Sequence, residues 1–411
     1  MPAKTSSRRS SASSGYDFAE GEHEFDGSRG SRASHGLAKK KKRKKVRSPL
    51  WAKLTATLGV LVALSGFGGV AAAKTIMGDL AGSIEVADTG EGATQQKQDA
   101  GTALKGPIDL LMLGLDTRQG WAENTSRADT IIILHIPATH DQAYLISIPR
   151  DAEVPIPSWS KSGFNGTAYD KINAAYYFGS QRNQGWAGGA GLMKKTVGQL
   201  TGIKFDGVVV IDFGGFRNVI SSLGGVHMCV ERDTWSSHYI VKNGKPQYYT
   251  YPGDHKLSNS WIHKKGCRNM AAWEALDYSR QRYGLPNSDY DRQRHQQQLL
   301  RAMAKKATSA GIITNPLRVT DLIKAAGSSL KMDTGGVPVD DFIFTLKALA
   351  GSDLVALKTN SGTYSRSSVG TGEGLNAATQ EMFTAAREDR LGEFIMDNPQ
   401  YLISDKMPSA K

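Results

Sequence analysis

The stretch Ile-Asp-Leu-Leu-Met-Leu-Gly-Leu at residues 108–115 has the length and apolar character of a buried β-strand. The turn-forming residues Asp-Thr-Arg-Gln-Gly follow it at 116–120. Two further strands are predicted directly after this turn, a β-branched run at 130–136 and a third apolar run at 143–148. The globular part of the chain is therefore predicted to begin with three successive strands.

Helical and extended patterns alternate after these strands. Helices are predicted at 172–178, 192–200 and 216–223, and strands at 205–213 and 226–230. Residues 274–279 and 292–307 show helical or mixed patterning. Residues 233–270 are polar and rich in Tyr and Trp, so they are predicted to leave the core. The alternation favours an α/β domain whose sheet is covered by helices.

The net charge of the 411-residue chain is +12, but much of it lies near the N-terminus. Residues 1–50 contain 13 Lys and Arg against 5 Asp and Glu, with few large apolar side chains. Such a segment cannot bury enough surface to offset the entropy of ordering, so we predict that it is disordered. The rest of the chain is only slightly basic, which argues against a nucleic-acid-binding protein.

Residues 54–73 lack charged side chains and are bounded by Lys53 and Lys74. At about 1.5 Å per residue, a helix here would span roughly the 30 Å hydrocarbon core of a bilayer. A buried core helix is disfavoured because the stretch has no polar face. The basic block at 39–47 indicates a cytoplasmic N-terminus and a single-pass type II protein of the cell membrane.

A cleavable signal peptide is the alternative, because three alanines at 71–73 fit a cleavage site. The long leader and the long apolar stretch favour an uncleaved signal anchor. We therefore divide the chain into five segments: a basic cytoplasmic segment at 1–50, a transmembrane anchor at 51–74, an extracytoplasmic stalk at 75–106, a folded domain at 107–385 and a polar C-terminal tail at 386–411.

The two cysteines, Cys229 and Cys267, both lie in the predicted extracytoplasmic domain. A metal site would need more thiols or closely spaced histidines. In an oxidising compartment an isolated pair favours a disulfide.

Charged residues stand at the ends of the first three predicted strands: Asp116, Asp129 and Arg150. Ligands of α/β sheets bind at strand ends, where groups distant in sequence can converge. Carboxylates suit Mg²⁺ and guanidinium groups suit phosphate, so a phosphate ligand with a divalent cation is one interpretation. Turn formation by the aspartates is the other.

A second basic cluster contains Arg280 and Arg282, which would share one face of an extended segment. Arg292 and Gln296 stand four residues apart and would share one side of a helix. Neighbouring cations on one face normally require an anion. A solvated helix rich in Arg and Gln is an equally good interpretation of this second pair.

Several of these segments occur together in an order and spacing that resemble the LytR-CpsA-Psr family. The matching segments are 113–118, 127–130, 147–151, 171–176, 223–226, 278–282 and 292–296. The resemblance covers about residues 107–385. It implies an extracytoplasmic α-β-α domain with a mixed central sheet flanked by helices, preceded by one transmembrane helix. A polyprenyl chain would lie in an apolar tunnel with its pyrophosphate at the mouth.

The resemblance also implies an activity and assigns roles to residues. The expected enzyme is a Mg²⁺-dependent (or Mn²⁺-dependent) phosphotransferase that moves a glycan from polyprenyl pyrophosphate to a peptidoglycan hydroxyl, forming a phosphodiester. Asp116 and Asp129 correspond to the metal-binding carboxylates and, with Arg150, to the catalytic set. The pyrophosphate contacts correspond to Arg127, Arg150, Arg280, Arg282, Arg292 and Gln296.

Two positions depart from the family pattern. Ala128 stands where the family usually has Ser, and His295 stands where it usually has Arg. The second departure leaves one phosphate contact in doubt, because His is mostly neutral at pH 7.

The general base and the reaction remain open at this point. The base could be Asp129 or Asp151, or the cation could lower the pKa of the hydroxyl unaided. A pyrophosphohydrolase, in which water replaces the acceptor, and a non-catalytic membrane-anchored regulator or wall-binding scaffold are the alternatives.

Overall fold

The computed structural model describes residues 84–90, 104–117, 123–249, 255–312, 315–339, 341–342, 345 and 353–403. The predicted cytoplasmic segment and signal anchor lie outside these ranges. Within them, every helix is too short or too polar to cross a membrane.

Fourteen strands and eight α-helices are assigned in the described part of the chain. The strands are β1 (Glu85–Val86), β2 (Ile108–Leu115), β3 (Ala128–Ile136), β4 (Gln142–Ile148), β5 (Glu153–Ile156), β6 (Thr167–Lys171), β7 (Gly207–Asp212), β8 (Val226–Val230), β9 (Thr234–Lys242), β10 (Lys245–Tyr248), β11 (Ser260–His263), β12 (Gly266–Met270), β13 (Leu330–Asp333) and β14 (Asp353–Lys358). The helices are α1 (Ala174–Gly179), α2 (Gly185–Thr201), α3 (Phe213–Ser222), α4 (Ala272–Arg280), α5 (Asp289–Ser309), α6 (Pro316–Ala326), α7 (Ala377–Arg387) and α8 (Leu391–Asp397).

The central sheet has seven strands in the order β1-β13-β7-β2-β3-β4-β14. β2 is parallel to β7 and antiparallel to β3, β3 is antiparallel to β4, and β4 is parallel to β14. The predicted mixed central sheet is therefore confirmed. These directions bring the end of β2, the start of β3 and the ends of β4 and β14 to one edge of the sheet.

Both faces of the sheet are covered by apolar side chains and helices. On one face, Leu111 and Ile133 belong to a buried cluster with Met193 of α2 and Phe383 of α7. On the other face, Leu110 and Phe342 belong to a separate buried cluster, and Leu300 of α5 packs against it. Successive strand residues point to opposite faces, so helices lie on both sides of the sheet.

Two predicted boundaries differ from the structure. Inside the predicted stalk, β1 pairs with β13, and Leu104 is buried. Residues 386–403, predicted as part of a polar tail, belong to the folded domain, because buried side chains of this segment join the main core. These side chains are Leu391, Phe394 and Tyr401. Leu391, Phe394 and Ile395 have the spacing of one helix face, so this helix could have been recognised from the sequence.

The predicted disulfide is confirmed. Cys229 of β8 and Cys267 of β12 stand directly opposite each other in an antiparallel pair and are bonded. The segment between them includes β9, β10 and β11, which form a separate three-stranded sheet.

Replacing Cys229 and Cys267 together by Ser should lower the free energy of unfolding by roughly 3 to 4 kcal/mol. The reason is that the bond joins residues with a sequence separation of 38, which restricts the unfolded chain. Urea denaturation of the double variant and the parent measures the difference. Two titratable thiols in the native parent protein, or equal stabilities, would contradict this expectation.

Candidate active site

Arg150 and Asp129 form an ion pair at the edge of the central sheet. Arg150 Nη1 lies 2.8 Å from Asp129 Oδ1, and its Nε lies 3.7 Å from Asp151 Oδ2 and 4.0 Å from Asp289 Oδ1. Burial alone would lower the pKa of Arg150, but the charge and hydrogen bond of Asp129, with the charges of Asp289 and Asp151, raise it above its ordinary value. Arg150 is therefore held as a permanent cation.

Arg292 adds a buried guanidinium from α5. Its Nη2 lies 2.6 Å from Asp289 Oδ1 and donates to the backbone carbonyl of Asp129 at 3.2 Å. Burial lowers the pKa of Arg292, and the nearby cations Arg150 and Arg282 act in the same direction. The Nε atoms of Arg150 and Arg292 are buried without a hydrogen-bond partner among the described residues. Such buried donors favour an anionic acceptor in this position.

Arg280 is the last residue of α4. Its Nη2 lies 3.3 Å from Asp116 Oδ1, and its guanidinium stands 3.9 Å from the centre of the Phe213 ring. The shared face that Arg280 and Arg282 would have on an extended segment is not formed, because the helix continues to Arg280 and Arg282 lies beyond its end.

The helix α4 is anchored through the buried carboxylate of Asp277. His238 of β9 and His263 of β11 contact this carboxylate at 3.0 and 2.7 Å. Burial alone would raise the pKa of Asp277, but the hydrogen bonds and charges of the two histidines lower it well below its ordinary range. The small sheet of β9 to β11 therefore fixes the helix that positions Arg280.

The other predicted phosphate contacts, Arg282, Gln296 and Arg127, do not all lie at these ion pairs. Arg282 donates to the Tyr283 hydroxyl at 2.7 Å and is near enough to Arg292 to lower its pKa. Gln296 is half-buried and lies one turn after Arg292 on α5. Arg127 is exposed and stands apart from these ion pairs, with its Nη1 3.4 Å from Asn173 Oδ1.

His295 contacts Tyr278 of α4. Its ring stacks on Tyr278 at 4.2 Å, with Nε2 2.9 Å from the phenolic oxygen. Burial lowers the pKa of His295 well below its ordinary value, helped by the charge of Arg294. His295 is therefore neutral at pH 7, and it lines a cavity of about 190 Å³ together with Arg294 and Glu231.

Asp116 and Asp129 are the residues that could hold a divalent cation. They stand at the ends of neighbouring strands, since Leu115 of β2 pairs with Ala128 of β3. The ion pairs described above use the Oδ1 atom of each carboxylate. Carboxylate oxygens are the ligands that Mg²⁺ and Mn²⁺ prefer, so the donor chemistry fits such a cation.

Asp151, considered above as a base, is paired with Lys171 at 2.9 Å. Burial would raise its pKa, but the hydrogen bond from Lys171 and the charges of Arg150, Lys171 and Arg292 lower it. A lowered pKa makes this carboxylate a weak proton acceptor.

Sequence reasoning missed two acidic residues at the site, Asp289 and Glu373. Asp289 begins α5 and pairs with Arg292. The predicted helix began at residue 292, and extending it by one turn would have placed Asp289 on the same side as Arg292. Glu373 is buried and its Oε1 accepts hydrogen bonds from Tyr290 and Asn360. No local pattern links Glu373 to the site, because its neighbours are distant in sequence.

Arginines interleaved with carboxylates thus lie together at one edge of the sheet, and guanidinium groups are the side chains that suit phosphate. Comparison with known proteins gives the class: residues 79–384 match the model of the LytR_cpsA_psr family. The chain belongs to this family, as its motifs predicted.

Named relatives act in cell-wall synthesis. The chain is 30% identical over 270 residues to the "Probable cell wall biosynthesis protein LcpB" of Corynebacterium glutamicum, covering 63% of this chain and 53% of the relative. It is 27% identical over 324 residues to the "Polyisoprenyl-teichoic acid--peptidoglycan teichoic acid transferase TagT" of Bacillus subtilis, covering 77% and 88%. The chain thus spans little more than half of LcpB but most of TagT.

A solved structure shows the same fold. Protein gbs0355 from Streptococcus agalactiae superposes with a TM-score of 0.54 at 18% identity, covering 69% of this chain and 88% of that one.

Proposed function

We propose that this protein transfers a glycan, as its sugar phosphate, from a polyprenyl-pyrophosphate carrier to a hydroxyl of peptidoglycan or another cell-wall acceptor. The observation that carries this proposal is the pair of buried Nε donors on Arg150 and Arg292, which lack acceptors among the described residues. Two further arginines, Arg280 and Arg282, lie at the same site. A pyrophosphate supplies such acceptors, because the planar fork of a guanidinium group can donate to two phosphate oxygens at once. The name of the relative TagT, which specifies a polyisoprenyl-linked donor and a peptidoglycan acceptor, supports the same chemistry.

In the proposed reaction the acceptor hydroxyl oxygen attacks the phosphorus on the sugar side of the pyrophosphate. The bond from this phosphorus to the bridging oxygen breaks, and polyprenyl phosphate leaves with the electron pair. Arg150, Arg280 and Arg292 hold the phosphates in place and offset the charge on their oxygens, which is most of what phosphoryl transfer requires. Bound to Asp116 and Asp129, Mg²⁺ or Mn²⁺ would supply further charge neutralisation.

The hydroxyl proton needs an acceptor. Asp151 is a weak proton acceptor, because Lys171 and the arginines lower its pKa. Asp129 pairs with Arg150 and would also hold the cation, so we do not assign it as the base. We propose instead that the proton passes to water, since a bound cation would lower the pKa of the hydroxyl.

We also propose that the folded domain faces the outside of the cell membrane behind the signal anchor predicted at 51–74. A lipid-linked donor lies in the membrane, so an anchored enzyme meets it at high local concentration.

Incubation of the protein with a polyprenyl-pyrophosphoryl disaccharide and Mg²⁺ tests the proposal. We expect a phosphodiester-linked product only when a peptidoglycan fragment is added, and no product from the Arg150→Ala variant. Cleavage of the donor by water at the same rate with and without acceptor would indicate a pyrophosphohydrolase. No reaction under either condition would indicate a regulator or scaffold.

A further inference from the structure

Glu373 is a buried carboxyl group beside the arginine site that the proposed reaction does not use. It is 3% exposed. Its backbone N–H donates to the carbonyl of Asp151 at 3.0 Å, and its carbonyl accepts from the N–H of Glu153 at 2.8 Å. Glu373 is thus joined through its backbone to the segment that directly follows Arg150.

The side chain of Glu373 connects this segment to two other elements. Its Oε1 accepts from the hydroxyl of Tyr290 on α5 and from Asn360 Nδ2 at 3.1 Å. Tyr290 follows Asp289, the partner of Arg292. Asn360, which lies beyond the end of β14, is itself fixed by hydrogen bonds to backbone groups of Gly374 and Asn376.

We propose that Glu373 is a positioning residue of the pyrophosphate site. It holds the segment after Arg150 against the first turn of α5, and it takes up a proton from solvent when a pyrophosphate binds. This inference rests on the proposed function, because the ligand is the pyrophosphate held by the same arginines. In this step an O–H bond forms on the Glu373 carboxylate and the bond that held the proton in hydronium or a buffer acid breaks; no other covalent bond changes.

The surroundings of Glu373 make its proton sensitive to nearby charge. The titratable or charged residues on the elements packed against it are Asp289 and Tyr290 on α5, Asp151 and Glu153 on the segment after Arg150, and Arg366 on the neighbouring backbone. Burial, together with the charge of Asp289, raises the pKa of Glu373 to about 7 against the opposing hydrogen bonds from Tyr290 and Asn360. Near pH 7 the carboxyl group is therefore close to half-protonated.

The direction of the coupling follows from charge. A pyrophosphate at Arg150 and Arg292 adds negative charge near Glu373, which disfavours the carboxylate and raises its pKa further. By linkage, the protonated form of the protein binds the ligand more tightly. The affinity for pyrophosphate should therefore fall by about three- to ten-fold as pH rises through about 7. This range corresponds to a rise of up to about one unit in the pKa of Glu373 on binding.

Binding of a short-chain polyprenyl-pyrophosphoryl N-acetylglucosamine between about pH 6 and pH 8 tests the inference. This diester has no phosphate proton to lose near neutrality, so the probe itself does not titrate. Calorimetry in two buffers of different ionisation enthalpy should show uptake of about 0.4 proton per bound ligand at pH 7 in the parent. Glu373→Gln should bind as tightly at both ends of the range as the parent does at the acidic end, with no proton uptake.

Three further variants complete the design. Tyr290→Phe removes a hydrogen bond that favours the carboxylate, so the midpoint of the pH dependence should move to higher pH. Glu373→Ala removes both side-chain hydrogen bonds and should weaken binding at every pH. Glu381→Gln, at an exposed position of α7, removes one carboxylate elsewhere and should keep the profile of the parent.

The outcomes separate this inference from the proposed function. A parent that fails to bind the probe at any pH overturns both. A parent that binds, with the same pH dependence and proton uptake in Glu373→Gln, overturns only the role of Glu373, as does parental affinity in Glu373→Ala. If Glu373→Gln does not fold, an unshifted midpoint in Tyr290→Phe decides against the inference.

Discussion

Arg150→Ala and Arg280→Ala should each lower the affinity for a polyprenyl pyrophosphate by about ten-fold or more. A hydrogen bond to a charged, desolvated group is worth roughly 1.5 to 3 kcal/mol, and about 1.4 kcal/mol corresponds to ten-fold in affinity. Both arginines meet this condition because they are largely buried and point at one sheet edge. Calorimetric titration of the parent and the two variants with the same lipid measures the loss.

Two controls make this result specific to a pyrophosphate site. Arg390→Ala removes a guanidinium that is 49% exposed and paired with Glu388 and Glu393, so affinity should stay within about two-fold of the parent. Arg150→Lys should restore only part of the affinity, because an ammonium group is a point charge and not a planar fork. Equal affinities in Arg150→Ala, Arg280→Ala and Arg390→Ala would show that the lipid binds elsewhere.

The strands β2, β3 and β4 could be predicted because each is a mainly apolar run with a charged residue at or beside one end. The predicted strand at 226–230 coincides with β8, and the one at 143–148 differs from β4 by a single residue. Once these strands are predicted, the ends of neighbouring strands place three charged residues at one edge of the sheet: Asp116, Asp129 and Arg150.

The anchoring of Arg280 could not be predicted from the sequence. The segment with β9, β10 and β11 is polar and aromatic without a clear apolar face, so its pattern indicated an excursion without a role. In the structure this segment fixes α4, because β9 and β11 supply the histidines that contact Asp277. Contacts of this kind depend on pairing between strands and leave no local periodicity.

The same reason explains why Glu373 was missed. Its position depends on the parallel pairing of β4 with β14, which brings Asn360 to the edge where Arg150 lies. Tyr290 and Glu373 are separated by 83 residues in the chain. Only the folded domain shows that a buried carboxyl group joins the segments of Arg150 and Arg292.

Asp116→Asn and Asp129→Asn should each reduce Mg²⁺-dependent turnover by at least about 100-fold while the fold stays intact. A divalent cation at a phosphoryl oxygen contributes several kcal/mol to transition-state stabilisation, and each 1.4 kcal/mol is about ten-fold in rate. Asn keeps the shape of the side chain but removes the charge that holds the cation. Turnover of the lipid-linked donor, measured against Mg²⁺ and against Mn²⁺ concentration, gives the size of the effect.

Binding measured without metal distinguishes loss of a cation ligand from damage to the arginines. Each substitution removes a negative charge next to Arg150 or Arg280, so metal-free affinity for the pyrophosphate should be unchanged or higher. Asp321→Asn, at an exposed position of α6, is the matched control and should keep parental turnover. If Asp116→Asn or Asp129→Asn kept parental activity at low Mg²⁺, that carboxylate would not be a ligand. If metal-free affinity fell instead, the carboxylate would act by orienting its arginine, and the cation would have to be held by other groups.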